Sequence, residues 1–404
     1  MNSEAKLWTP NYILFCSASL IMFFAFYSTV STLPIYLDDY LHADKSQIGL
    51  ILSSYALAAV LLRPFCGYAL DAWGRKNVFM SGFLVFSCIF GMYALSSIPW
   101  MNGKTLMGIS LPLLTIGIVR FMHGLSWAFV SSGNQTISVD IVPPSRRGEG
   151  IAYFGMTANL SMAVGPALGL GLINFAGSTY LFMTTMILSL VSFISLCFMK
   201  FPAYRPQRTR INLKAMVEKT SIPFSIVCAI FCFSNSCYMT YMPIYSKEIE
   251  GANPAVFFFV YSAGMIGTRF FSGRIFDRIG PMVPVGIGFP MMIAGSLLLW
   301  AGHSCFVFYL AALLLGIGSG MAFPSFVACI NNMVKPTRRG AANATFSSAI
   351  DIGIASGIIS FGFISDWTGL RFIYFLASGL YVIAFLFYLL MAHHHYQRNK
   401  IQGV

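Results

Sequence analysis

Charge is what this chain has least of. Asp, Glu, Lys and Arg together make 9% of its 404 residues, against 57% hydrophobic. A soluble chain of this length needs far more charge to keep its surface hydrated, so an ordinary water-soluble globule is excluded. Acids are scarcer than bases, 13 against 25, which leaves a net charge of +12. A nucleic-acid binder would gather those cations on one face or tail. Here they fall in short connections between apolar runs, so no nucleic acid is expected as a partner. No C-x-x-C pair spaces the nine cysteines; buried packing thiols are expected rather than a disulfide or metal framework. No Walker A loop, G-x-S-x-G or H-E-x-x-H occurs, which removes the usual signals of ATP drive, serine hydrolysis and zinc proteolysis. The sequence reads as neither an enzyme nor a holder of cofactor or metal.

Long apolar runs fill the chain instead, with a mean hydropathy of +0.73. A membrane-crossing helix takes roughly 20 apolar residues. Candidate runs are 11–36, 47–70, 77–98, 105–133, 149–175 and 178–200, then 221–245, 254–275, 282–301, 304–332, 341–365 and 370–392. The expected fold is an all-α membrane protein of twelve transmembrane helices in two pseudo-symmetric six-helix bundles. The bundles are expected at 1–200 and 221–404, joined by a cytoplasmic linker at 201–220, with a short cytoplasmic tail. No small-residue cleavage site ends the first run, so it reads as an uncleaved helix rather than a signal peptide.

The cations set the expected orientation. Alternate connections carry Arg75, Lys76, Arg146, Arg147, the basic stretch Lys200–Lys219, Arg274, Arg278, Lys335, Arg338 and Arg339. The opposite connections hold only Lys45, Lys104, Lys247 and Arg371. Positive charge stays inside, so both termini are expected in the cytoplasm of a bacterial cell, the protein lying in its inner membrane.

The halves echo each other. Arg63, Gly67, Asp71 and Gly74 recur as Arg269, Gly273, Asp277 and Gly280, with the same 4-4-3 spacing. Arg147-Gly148, Asn159 and Gly165 recur 192 residues later as Arg339-Gly340, Asp351 and Gly357. Leu33-Pro34-Ile35-Tyr36 is echoed by Met242-Pro243-Ile244-Tyr245. Such recurrence marks an internal structural repeat.

The run Gly67-Tyr68-Ala69-Leu70-Asp71-Ala72-Trp73-Gly74-Arg75-Lys76 closely resembles the loop between helices 2 and 3 of the major facilitator superfamily. The second copy, through Gly273, Asp277 and Arg278, is similar to the weaker loop that family carries between helices 8 and 9. The resemblance implies that Gly67, Asp71, Gly74, Arg75, Lys76, Gly273, Asp277 and Arg278 form a cytoplasmic latch. Gly67 would let helix ends approach closely, and Arg75 and Lys76 would hold lipid headgroups or acids of the neighbouring half. Ala72 stands where the family often has a cation, which puts one pairing in doubt. Arg120 and Gly124 in helix 4 resemble the family's R-x-x-x-G pattern, which implies a part in proton transfer; a structural arginine bonded to carbonyls is the competing reading. Gly165-Pro166-Ala167-Leu168-Gly169 in helix 5 resembles the core of the antiporter motif, typical of exporters, and is equally a helix-packing groove.

Asp351 is the acid placed deepest in an apolar run, about 17 Å into helix 11 at 1.5 Å per residue. A lone carboxylate there could take and release a proton or meet a cationic substrate, or it could brace the helix as a protonated or paired group. His123 lies on the Arg120 face and could carry a proton or serve as a bonded packing group. Asn159 is the non-titrating counterpart of Asp351. In the resembled fold helices 1, 4, 7 and 10 line the centre, which makes Tyr27, Trp127, Asn235, Tyr238 and Tyr241 candidate cavity residues; Asn159 of helix 5 is a further one. Aromatics with a few amides suit amphipathic organic substrates.

The expected function is proton-coupled export of small, drug-like amphipathic compounds by alternating access, of the twelve-helix drug:proton antiporter type associated with multidrug resistance. The expected partners are a small-molecule substrate, protons and membrane lipids, and the expected state is a monomer. The alternatives are an exporter of a specific metabolite, such as a sugar or siderophore-like compound, and a proton-coupled solute symporter.

Overall fold

The computed structural model describes residues 6–97, 103–106, 109–143, 146–202, 218–335 and 339–401. Twelve helices among the described residues are long and apolar enough to cross a membrane. They are α1 (Pro10–Ile35), α2 (Lys45–Trp73), α3 (Arg75–Met92), α4 (Leu111–Ile141), α5 (Arg147–Ala176) and α6 (Ser178–Cys197), then α7 (Ile222–Tyr245), α8 (Pro254–Ile279), α9 (Met282–Ala301), α10 (Cys305–Asn332), α11 (Arg339–Thr368) and α12 (Leu370–Phe387). A short α13 (His393–Asn399) closes the described chain. The fold is an all-α, multi-pass integral membrane protein.

Local chemistry starts these helices where hydropathy begins. Thr9 accepts the Tyr12 N–H at 3.2 Å and Pro10 opens α1. Asn253 accepts the Ala255 N–H at 2.8 Å ahead of Pro254 in α8. Both follow the rule of a polar cap before a first-turn proline. Helix 4 departs from its expected start at 105. The chain first forms a two-residue antiparallel pair, Thr105–Leu106 with Ile109–Ser110, and α4 opens at Leu111 beside Pro112. Its far end runs on through Asn134-Gln135-Thr136 to Ile141, so apolar content alone placed both ends too early.

Two compact units emerge. The first comprises Met1–Leu41 and Ala58–Ile211, the second His42–Leu57 and Asn212–Val404. The start of α2 therefore clusters with the second unit. Most of the expected linker at 201–220, residues 203–217, lies outside the described residues. In the first unit α1 packs on α5 and α6, and α3 on α4 and α6. In the second, α7 packs on α11 and α12, and α10 on α8 and α9. Large apolar side chains face outward, among them Phe175 at 91% and Trp367 at 90% exposure, as lipid as solvent permits.

Many hydroxyls inside these bundles bond to backbone or to each other, because hydrocarbon offers no water. Ser192 Oγ donates to the Ala18 carbonyl at 2.6 Å, and Ser161 Oγ to that of Leu20 at 3.0 Å. Ser87 and Ser189 share one bond at 2.7 Å between α3 and α6.

Four helix pairs turn at a glycine, which is the whole joint in three of them and is followed by Pro281 in the fourth. Gly74, Gly177, Gly280 and Gly369 have φ of 97°, 86°, 86° and 83°, respectively, a region that L side chains rarely occupy. They separate α2 from α3, α5 from α6, α8 from α9, and α11 from α12. The segment expected as a loop is thus the end of one helix, a single glycine, and the start of the next.

Candidate functional site

The polar core of the first unit is carried by α4. Arg120, His123 and Trp127 recur at spacings that share one helix face, and Arg120 and His123 are buried. Trp127 stacks on Phe26 of α1, with centroids 4.5 Å apart and planes 6° apart. Phe26, Phe86 and Phe90 surround the His123 ring at 6.1, 4.7 and 4.8 Å, respectively. The His123 Nδ1 lies 3.0 Å from the Tyr93 hydroxyl, and the Tyr93 ring lies 5.7 Å from that of His123. Tyr93 opens the one-turn helix Tyr93–Ser97 that follows α3. Sequence reading missed it, since one tyrosine among 19 carries no positional signal. Tyr27 is half-buried and packs beside Phe23 and Phe26. Asn159 is half-buried on α5.

In the second unit, Tyr261 of α8 is buried, its ring 6.0 Å from that of Tyr238 on α7. The Oδ1 of Asn235 is buried with no partner among the described residues. Tyr238 and Tyr241 turn into the bundle. Both are fully buried; Tyr238 shares a 2.6 Å bond with the Tyr381 hydroxyl, and Tyr241 donates to the Ile358 carbonyl at 2.8 Å. Among the described tyrosines offered for a cavity, only Tyr27 retains exposure.

Asp351 is 8% exposed, on α11. Two residues on, Gly353 meets the Ala229 carbonyl of α7 and, a turn later, Gly357 meets that of Phe233. At 100° per residue the carboxylate leaves the helix about 200° from Gly353, so it points away from the α7 seam.

The glycines expected to pack do so unevenly. A Cβ at Gly165 would lie 2.7 Å from that of Tyr27, and one at Gly169 would overlap the Ser28 carbonyl. Ser28 Oγ donates to the Gly165 carbonyl at 2.9 Å. Pro166 sits within unbroken α5. The expected close approach at Gly67 is not found. There, and at Gly273, an added Cβ would meet no described atom within 4 Å. The contact falls instead at Gly82, where a Cβ would stand 2.7 Å from that of Phe129 on α4. Arg75 bonds Asp140 of its own unit at 2.5 Å, and Lys76 stands over the Phe201 ring at 5.5 Å. Gly280 ends α8 after Arg278, which is exposed. The side chains of Asp71 and Asp277 lie outside the described residues.

The Major Facilitator Superfamily profile matches residues 15–305 and 285–403. The chain belongs to that family. It is 26% identical over 379 residues to the uncharacterized MFS-type transporter YhhS of Escherichia coli (strain K12), covering 91% of this chain and 90% of that protein. It is 21% identical over 365 residues to the staphylopine export protein of Staphylococcus aureus (strain Mu50), covering 85% and 86%. The crystal structure of a D-xylose-proton symporter superposes with a TM-score of 0.74 at 14% identity, covering 93% of this chain and 96% of that one. The superfamily fold thus serves a protein named as an exporter and one named as a proton symporter. This family member is a transporter and not an enzyme.

Proposed function

We propose that this transporter exports small amphipathic organic compounds in exchange for protons, by alternating access. The observation that carries the reading is the pair of buried ionisable groups, Arg120 in the first unit and Asp351 in the second. Ionisable groups are costly inside a membrane and mark ion or substrate pathways. Asp351 takes a proton from the outside and releases it to the cytoplasm, and Arg120 takes part in proton transfer within the first unit. Under an inside-negative potential each inward proton supplies roughly 2.3 kcal/mol per 100 mV. Trp127, Tyr27, Asn159 and Asn235 supply aromatic faces and amides for the substrate. Export is supported by Gly165-Pro166 and by similarity to a protein named as an exporter. The same similarity favours, as a second reading, one specific metabolite rather than a range of drugs. The cation bias supports a cytoplasmic-membrane location with both termini inside; Arg75, Lys76, Gly273 and Arg278 act as the cytoplasmic latch, with lipid as the immediate partner and a monomer as the working unit.

Everted vesicles test this with ethidium as the drug-like probe. An inside-acid gradient should drive its accumulation, and Asp351→Asn should abolish the response to the gradient while insertion persists. Accumulation indifferent to the gradient, or unchanged in Asp351→Asn, overturns the coupling.

A further inference from the structure

We propose that a cleft alongside α12 in the second unit binds one phospholipid, an acyl chain lying in the groove and the phosphate meeting Arg371. The cleft has a volume of about 600 Å³. Its α12 wall is a row at spacings of four, Phe375, Gly379 and Ile383, and Leu297 of α9 lines it as well. Phe233 of α7 and the buried Phe361 of α11 also line it, their rings 5.3 Å apart. Gly379 makes the groove: its neighbours on the row carry bulk, whereas a Cβ there would meet nothing within 4 Å. Phe375 and Ile383 keep 41% and 54% exposure, respectively, so the cleft opens on the lipid side. Its lining is apolar apart from two serines, and the Ser378 hydroxyl is spent on the Phe375 carbonyl at 2.6 Å. A polar solute would find almost nothing to bond there, which suits hydrocarbon.

The polar end selects the molecule that carries the hydrocarbon. Arg371 lies one turn before Phe375 on the same row of α12. Its Nε donates to the Trp300 carbonyl at 2.5 Å and its Nη2 to that of Gly302 at 2.9 Å. The His303 ring lies 3.0 Å from Nη1 and 2.8 Å from Nη2. None of these partners is a carboxylate, and among the described residues Arg371 forms no ion pair. Arginine has five donors. The four contacts leave an Nη1 hydrogen and the positive charge for an anion, on a guanidinium already held in one orientation, and phosphate suits that fork. The Trp300 ring packs on Phe375 at 4.8 Å, and tryptophan of this kind sits at headgroup level. From Arg371 to Ile383 α12 advances about 18 Å at 1.5 Å per residue. One leaflet of a bilayer supplies roughly 15 Å of hydrocarbon with the phosphate just beyond it. The row thus matches a phospholipid end to end, cation at the headgroup and gap along the chain.

The test is native mass spectrometry of the full chain, delipidated in detergent and titrated with phosphatidylglycerol. Expected is one lipid bound saturably ahead of any further addition. Arg371→Gln and Gly379→Phe should each weaken that first binding about tenfold, the scale of a lost hydrogen bond to a charged group or of a filled acyl groove. Diacylglycerol, which lacks the phosphate, should bind as weakly to the parent. Gly171→Phe, a bulky change at an open glycine of α5, should leave the binding as it was. Parental affinity in Gly379→Phe overturns the groove, and parental affinity in Arg371→Gln or for diacylglycerol overturns the headgroup contact. Unsaturable binding, equal in parent and variants, means annular lipid only and overturns the site. Displacement by inorganic phosphate at matched concentration, with Gly379→Phe silent, means an anion site and no lipid. Should Arg371→Gln fail to fold, Gly379→Phe, whose ring enters open space, still decides.

Discussion

Asp366 caps the first turn of α2 from the end of α11: its carboxylate accepts the Ser46 N–H at 2.8 Å and the Lys45 N–H at 2.9 Å. The two partners are 320 residues apart, and both belong to the second compact unit. A carboxylate at a helix start satisfies orphan amides and meets the positive end of the helix dipole. Asp366→Ala should therefore cost about 1 kcal/mol, the usual worth of a cap, read as a lower midpoint of thermal unfolding in detergent. Asp366→Asn should recover part of it, and an alanine variant as stable as the parent refutes the cap.

Just inside that cap the helices touch through glycine. A Cβ at Gly49 would lie 2.7 Å from the Tyr241 hydroxyl oxygen and 2.9 Å from the Ile358 carbonyl. Gly49→Ala should destabilise by about 1–3 kcal/mol, the cost of overpacking. Adding Tyr241→Phe removes one of the two clashing oxygens, so the double variant should fall short of the sum of the single ones. Strict additivity would show that the hydroxyl does not occupy the position described.

Two glycines of α5 make a matched control. A Cβ at Gly169 would overlap the backbone carbonyl of Ser28, while one at Gly171 meets nothing within 4 Å. Gly169→Ala should lower stability and expression. Gly171→Ala should be neutral or gain up to about 1 kcal/mol from helix propensity. Equal effects in thermal unfolding would place the α1–α5 seam elsewhere.

Arg75 and Asp140 each keep 24% side-chain exposure in their ion pair. Pairs with that access to solvent couple by about 0.2–1 kcal/mol in double-mutant cycles, and salt should weaken this one further. A coupling several times larger would mean that the pair organises the helix ends rather than decorating them.

Helix number, order and most boundaries were legible because twenty apolar residues in a row have few other uses. Which face of each helix looks inward was not. These helices are apolar all round, so nothing in the spacing of Tyr238 and Tyr241 says that both hydroxyls are spent inside the second unit. Asp351 was legible because a carboxylate among apolar neighbours stands out without any knowledge of its face. Tyr93 was not, because its importance comes from what the turn after α3 brings near it. The echo between Gly177 and Gly369 shares the 192-residue offset already carried by Asn159 and Asp351, yet it passes unnoticed among 36 glycines until the backbone shows positive φ at both.

Those single-glycine joints leave no slack. Each residue of helix advances the chain by about 100° of rotation, so one residue inserted beside Gly74 or Gly369 would swing every side chain of the following helix through more than a quarter turn, exchanging seam for lipid-facing surface. Added length is therefore best borne by its other connections, and the hairpins α2–α3, α5–α6 and α11–α12 each behave as one piece, phase-locked from one helix to the next.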